Sequence, residues 1–140
     1  MILSYTNFTT QDLRGDSVEQ LFTNIEADLR VVDGDRVIYA EVLFPVAELA
    51  AELSRWLGAS PTRSADFELD SMSFAEKGAV RIVRGDEGWR FGSVFSPDVW
   101  GRPLDDGELQ AEIREFAARV RSDVTAAGID PGFLDAENRG

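Results

Sequence analysis

The chain has 140 residues, a formal net charge of −12, no cysteine and no histidine. Those absences exclude disulfides, thiolate chemistry, cysteine–histidine zinc sites and every serine or cysteine mechanism that leans on an imidazole. An acidic surface repels phosphate backbones, so nucleic acid is not an expected partner, whereas a basic protein is favoured by electrostatic steering.

A hydrophobic content of 44% is enough for one core, and the length fits a single domain, expected over residues 1–134 with a frayed tail at 135–140. The start Met1-Ile2-Leu3-Ser4-Tyr5 has neither the basic opening nor the apolar run of a signal peptide, and no segment reaches membrane-spanning length. The expected location is therefore the cytoplasm, with no membrane association.

Ile2 to Phe8 reads as a first strand at an edge. Thr9 to Asp16 is a loop, and Ser17 to Leu21 is a helical turn capped by Asp16 or Ser17. Ile25, Ala27, Leu29 and Val31 alternate with Glu26, Asp28 and Arg30, the pattern of a strand with one buried face. Asp33-Gly34 is the preferred pair for a type I′ hairpin turn. The return strand, Val37 to Phe44, is expected to put Ile38, Ala40, Val42 and Phe44 on one face and Tyr39 and Glu41 on the other.

Pro45 stops that strand and suits the first turn of a helix over Pro45–Leu57, whose stripe is Val46, Leu49, Ala50, Leu53, Trp56 and Leu57. Gly58 suits the helix end, and residues 59–65 form a polar loop. Three strands follow, at Asp66–Phe74, Ala79–Arg84 and Trp89–Phe95, with Gly85-Asp86-Glu87-Gly88 as the second hairpin turn. Ser96 to Pro103 reads as an extended loop. The last helix, Asp106–Ala127, opens with a capping box, Asp105 with Glu108, and Leu104 is placed to staple onto Leu109. Its stripe is Leu109, Ile113, Phe116, Ala117, Val120 and Val124. Gly128 and Pro131 end it. The fold class is α+β: an antiparallel sheet of five to six strands with two main helices on one face.

Four groups of residues bear on function. Glu26 with Asp28, Glu68 with Asp70, and Glu41 on a neighbouring strand describe an acidic sheet face, either simply solvated or docking a basic protein. Carboxylates alone support neither a metal loop nor a glycosidase pair. Trp89, Phe91 and Phe95 share a strand face and are expected in the core. Gly92 opposes them, where a missing side chain lets a neighbour approach. Trp100, among turn formers, either caps the core or anchors a partner. Ser71 and Ser73 near Lys77 lack the spacing of a serine nucleophile, and Asp70-Ser71-Met72-Ser73 reads as strand alternation.

The segments Asp66-Phe67-Glu68-Leu69-Asp70-Ser71-Met72-Ser73-Phe74 and Gly88-Trp89-Arg90-Phe91-Gly92-Ser93-Val94-Phe95 resemble small actinobacterial proteins of uncharacterised families and, more loosely, immunity proteins of bacterial polymorphic toxin systems. That resemblance implies a short acidic α+β domain that blocks a toxin by binding it. The expected function is a non-catalytic inhibitor of a basic partner such as a nuclease toxin, with no cofactor and no metal. Its expected contacts are Glu26, Asp28, Glu41, Glu68, Asp70 and Trp100. The alternatives are a small-molecule-binding module, an assembly subunit or a carboxylate-only enzyme.

Overall fold

The computed structural model describes residues 2–58 and 66–135. The loop expected at 59–65 and the tail beyond 135 lie outside the described residues. The fold is α+β, but its strands form two antiparallel sheets, not one. The first contains β1 (Leu3–Thr9), β2 (Glu26–Asp33) and β3 (Arg36–Phe44) in that order. The second contains β4 (Phe67–Glu68), β5 (Arg81–Gly85), β6 (Gly88–Ser93) and β7 (Ser96–Trp100). Among the described residues three α-helices complete it, α1 (Val18–Asn24), α2 (Val46–Gly58) and α3 (Asp106–Ala126), followed by a short 3₁₀ helix at Pro131–Leu134.

β2 follows the expected alternation, with Ala27, Leu29 and Val31 buried. Its hairpin turn is one residue later than expected. Asp33 pairs with Arg36, so Gly34 and Asp35 are the central residues. Gly34 alone takes a positive φ, +61°, which is the II′ pattern, with glycine first, instead of I′. β3 departs further. A bulge at Ile38 buries two consecutive residues, Ile38 and Tyr39, and reverses the expected faces. Tyr39 and Glu41 now pair with Val31 and Leu29 on the core side, while Ala40 pairs with Arg30 on the outer side. One extra residue in a period of two sends the following side chains to the other face, until a second bulge before Phe44 returns that ring to the core.

The helices cover the inner faces of both sheets. α2 is buried nearly all round, at Val46, Ala47, Leu49, Ala50, Ala51 and Leu53, and also at Glu48. Trp56 near its end meets Phe67 and Trp89 of the second sheet, at ring separations of 5.7 and 5.3 Å. α3 presents the expected stripe, and both halves of its capping box form. On the first sheet, Tyr5 packs edge-on against Phe116 of α3 at 5.8 Å and donates its hydroxyl to Asp123 at 2.6 Å. Burial, then the Asp123 carboxylate, pushes the phenol above its usual range. Glu112 of α3 accepts the backbone N–H groups of Ile2 (2.8 Å) and Leu3 (3.2 Å), which ties down the start of β1.

Two expected strands change. Asp66–Phe74 forms only the two residues of β4, and the rest is a loop. Buried Glu48 is the cause. It accepts the Ser71 hydroxyl and the Met72 N–H (3.2 Å), which draws residues 71 and 72 out of a ladder and onto α2. Conversely, part of the expected loop Ser96–Pro103 is a strand, β7. Pro97 is tolerated there because β7 is the sheet's edge. The turn Val94-Phe95 between β6 and β7 takes Phe95 out of the core face to 46% exposure, whereas Trp89 and Phe91 are buried as expected.

Gly88 has φ +138°, and a Cβ there would lie 2.5 Å from the carbonyl oxygen of Leu104. That contact exists because Trp89 and Leu104 exchange two backbone hydrogen bonds of 2.8 Å, which fasten β6 to the entry of α3. Gly88→Ala is expected to cost about 2 kcal/mol or more, from backbone strain plus overlap with a fixed carbonyl. Urea unfolding reads this directly, and a cost below about 0.5 kcal/mol would contradict the constraint.

Candidate functional site

The bulged end of the first sheet gathers the features of a binding surface. Asp28, in the central strand, reaches both neighbours. Its Oδ2 accepts the Asn7 side-chain amide of β1 at 2.7 Å, and its Oδ1 accepts the Leu43 N–H of β3 at 3.2 Å. Asn7 and Leu43 are the two non-glycine residues with positive φ among those described, at +56° and +52°. Asparagine tolerates that conformation, but leucine does so at a cost. Each lies where its strand slips register against β2. One carboxylate thus clamps two bulges.

The outcome is an exposed apolar projection. Val42 is 66% and Leu43 54% exposed, while the next residue, Phe44, is fully buried. Val37 is also exposed on β3. Beside β3, Phe95 stacks on Tyr39 at 5.9 Å, and Phe74 packs on Phe44 at 5.5 Å. Phe95 and Met72 are also exposed, on loops whose Phe95 and Phe74 rings pack on the core side of the same strand.

Carboxylates lie on both faces of this end of the sheet and on the loop after β4. Glu26 lies beside Asp28 on the outer side of β2, facing Asp12. Burial, then a hydrogen bond and repulsion from Asp12, raises its carboxyl above the usual glutamate range. Glu41 precedes Val42 and accepts the Tyr39 hydroxyl at 3.1 Å. Burial, then that carboxylate, raises the Tyr39 phenol. Asp70 lies in the loop that carries Met72, loosely paired with Lys77 at 3.9 Å between exposed side chains.

The other two expected contacts lie elsewhere. Glu68, Arg81, Gly92 and Trp100 form one cross-strand row over the outer face of the second sheet. Trp100 lies on Gly92, where an added Cβ would come within 2.7 Å of its ring. The close approach expected at Gly92 is thus made by Trp100. The Arg81 guanidinium sits 4.5 Å from the Trp100 ring centre. The structure therefore sets Glu26 and Asp28 on the outer face of β2, puts Glu41 on the opposite, core-side face of β3 and Asp70 on the loop that Glu48 anchors, and separates Glu68 and Trp100 from all of these. Sequence reasoning missed Asn7, Val42 and Leu43 as surface residues. Their one signal was an apolar run, Val42-Leu43-Phe44, too long for strict alternation.

The chain belongs to the family described as a domain of unknown function (DUF7878), which it matches over residues 1–126. No curated protein and no solved structure matches it. Among the described residues, no helix is long and apolar enough to cross a membrane, and no cluster of three or more carboxylates is placed to hold a metal.

Two outcomes check this geometry. Asp28→Ala removes acceptors from two strained residues and is expected to cost about 1–2 kcal/mol, whereas Leu43→Gly relieves the left-handed leucine and is expected to be neutral or stabilising by up to about 1 kcal/mol. Chemical denaturation of both variants tests the clamp, since an ordinary strand position would lose stability on Leu43→Gly. The second concerns pH. A carboxyl with a raised pKa in the folded state holds its proton more tightly folded than unfolded, so its contribution falls as pH rises from the ordinary glutamate range through the raised value. Glu26→Gln is therefore expected to raise the melting temperature at neutral pH, with the gain shrinking as pH falls into the ordinary glutamate range, as read by thermal scans across pH.

Proposed function

We propose that this chain is a non-catalytic binding protein that occludes a basic protein partner, acting as an immunity protein does when it neutralises a toxin such as a nuclease. On this reading it works in the cytoplasm and needs no cofactor. The observation that carries it is the Val42–Leu43 projection, held out of the core by Asp28 and flanked on the same face of β2 by Glu26 and Asp28, with Glu41 next along β3.

An apolar centre with a charged rim is the anatomy of a protein interface. The centre excludes water and sets the dissociation rate. The rim, in a chain of net charge −12, speeds encounter with a positive surface. Backbone strain at an exposed leucine points the same way, because strain persists where something other than stability maintains it. Asp70 and Met72 are exposed on the loop anchored by Glu48 and supply a further carboxylate and apolar side chain.

Where a basic protein is encoded beside this chain's gene, it is the partner to test. The two are expected to bind with a Kd below about 1 μM, weakening as salt is raised, and co-expression is expected to protect cells from that protein. Val42→Arg and Leu43→Arg, checked for intact circular dichroism and melting, are each expected to weaken binding at least about tenfold. Full affinity in both variants would place the interface elsewhere. No binding even at low salt would sink the proposal.

A further inference from the structure

The geometry points to a second binding site, for a phosphate-bearing small molecule, in the hollow beside Trp100 on the far end of the second sheet.

Three arginines, Arg36, Arg90 and Arg102, line this hollow together with Trp100 and Asp98, around a volume of about 370 Å³. In a chain with 26 acidic and 14 basic residues, three guanidinium groups line one hollow beside a single lining carboxylate, with Glu87, Asp33 and Glu108 at its edge. They come from three separate places: the start of β3, the middle of β6 and the segment after β7. Folding, not a basic run in the sequence, assembles them.

Their existing partners are weak ones. Arg36 has no ion-pair or hydrogen-bond partner for its side chain among the described residues. Arg102 stands 3.9 Å from both Asp33 and Glu108, at the limit of an ion pair, with its side chain 54% exposed. Asp33 is already engaged by the Arg102 backbone N–H at 2.7 Å. Arg90 meets Glu87 at 3.2 Å across an exposed turn. Exposed pairs of this kind contribute little and exchange readily.

The donor set selects the ligand. One guanidinium satisfies a carboxylate through a two-point contact. Three around one hollow suit a group with several acceptor oxygens and a charge near −2, which is a phosphate ester. The hollow is of small-molecule size. A second hollow of about 360 Å³, lined by Val83, Asp86, Glu87, Arg90 and Trp100, adjoins it through Trp100 and Arg90 and gives room for the rest of such a ligand. Trp100 is the fixed wall between them, because Gly92 beneath and Arg81 beside it hold the ring in place.

Calorimetric titration of the full chain at moderate salt uses pyrophosphate, a nucleoside monophosphate and citrate as probes. Saturable one-site binding of a phosphate probe is expected, with a Kd of about 1 mM or tighter. Arg36→Gln and Arg90→Gln are each expected to weaken it about tenfold or more, while Arg114→Gln, on α3 away from the hollow, leaves it unchanged. Weakening by all three alike would reveal non-specific attraction and overturn the site. So would no binding of either phosphate probe, or binding of citrate alone. None of these results depends on the protein partner of the first surface.

Discussion

Two sheets that share no ladder must be held together by side chains and by the helices that cover both, and at their seam four aromatic rings meet. Tyr39 and Phe44 from β3, Phe74 from the loop after β4, and Phe95 from the β6–β7 turn form a connected cluster with neighbouring centres 5.5 to 6.2 Å apart. Each such contact is worth about 0.5–1.5 kcal/mol beyond the area it buries. The cluster dictates what β3 must do. To turn Tyr39 and Phe44 toward the seam, β3 needs one bulge at Ile38 and another before Phe44, and those bulges push Val42 and Leu43 outward. The exposed projection is thus the other side of the junction between the sheets.

The same dependence explains Glu48. A carboxylate on a helix is ordinarily solvated, and burial costs several kcal/mol unless its oxygens are satisfied. Here they accept from Ser71 and Met72. That pair of bonds fixes the loop whose Phe74 completes the aromatic seam. Helix α2 therefore reaches the seam twice, through the strand that precedes it and through a loop far along the chain.

How much of this was legible in the sequence follows from which forces are local. β2 was readable because both its neighbours respect its period of two, and α3 because its capping box and stripe lie within one segment. β3 was misread because a bulge leaves no mark in composition: Ile38 and Tyr39 are both strand formers, and only the demand for Tyr39 in the seam decides which turns inward. The hairpin turn slipped by one residue because Gly34 suits either register, and the pairing of Asp33 with Arg36 is set by the whole ladder. β7 was hidden by Pro97 and Asp98, whose turn signal is overridden at an edge. Ser71 was read as part of a strand because its partner is 23 residues away. Of the candidate site, the carboxylates Glu26, Asp28 and Glu41 were visible as residue types, but the use of Asp28 was not. Its role depends on two left-handed residues on different strands.

Charge distribution completes the picture. At physiological ionic strength a charge is felt over about 8 Å, so a net value of −12 describes the approach of a partner and not the field inside any one hollow. Around Val42 and Leu43 the local and global signs agree, which favours a basic macromolecule arriving from a distance. Around Trp100 three guanidinium groups cluster among Asp98, Glu87, Asp33 and Glu108, and that local arrangement discriminates by size. A large acidic partner would feel the whole repulsive surface, whereas a small anion that enters the hollow is close to three guanidinium groups and screened from the rest. Trp100 therefore belongs with the arginines and not with the carboxylates. What places it there is Gly92, because any side chain at that position would lift the ring from the sheet.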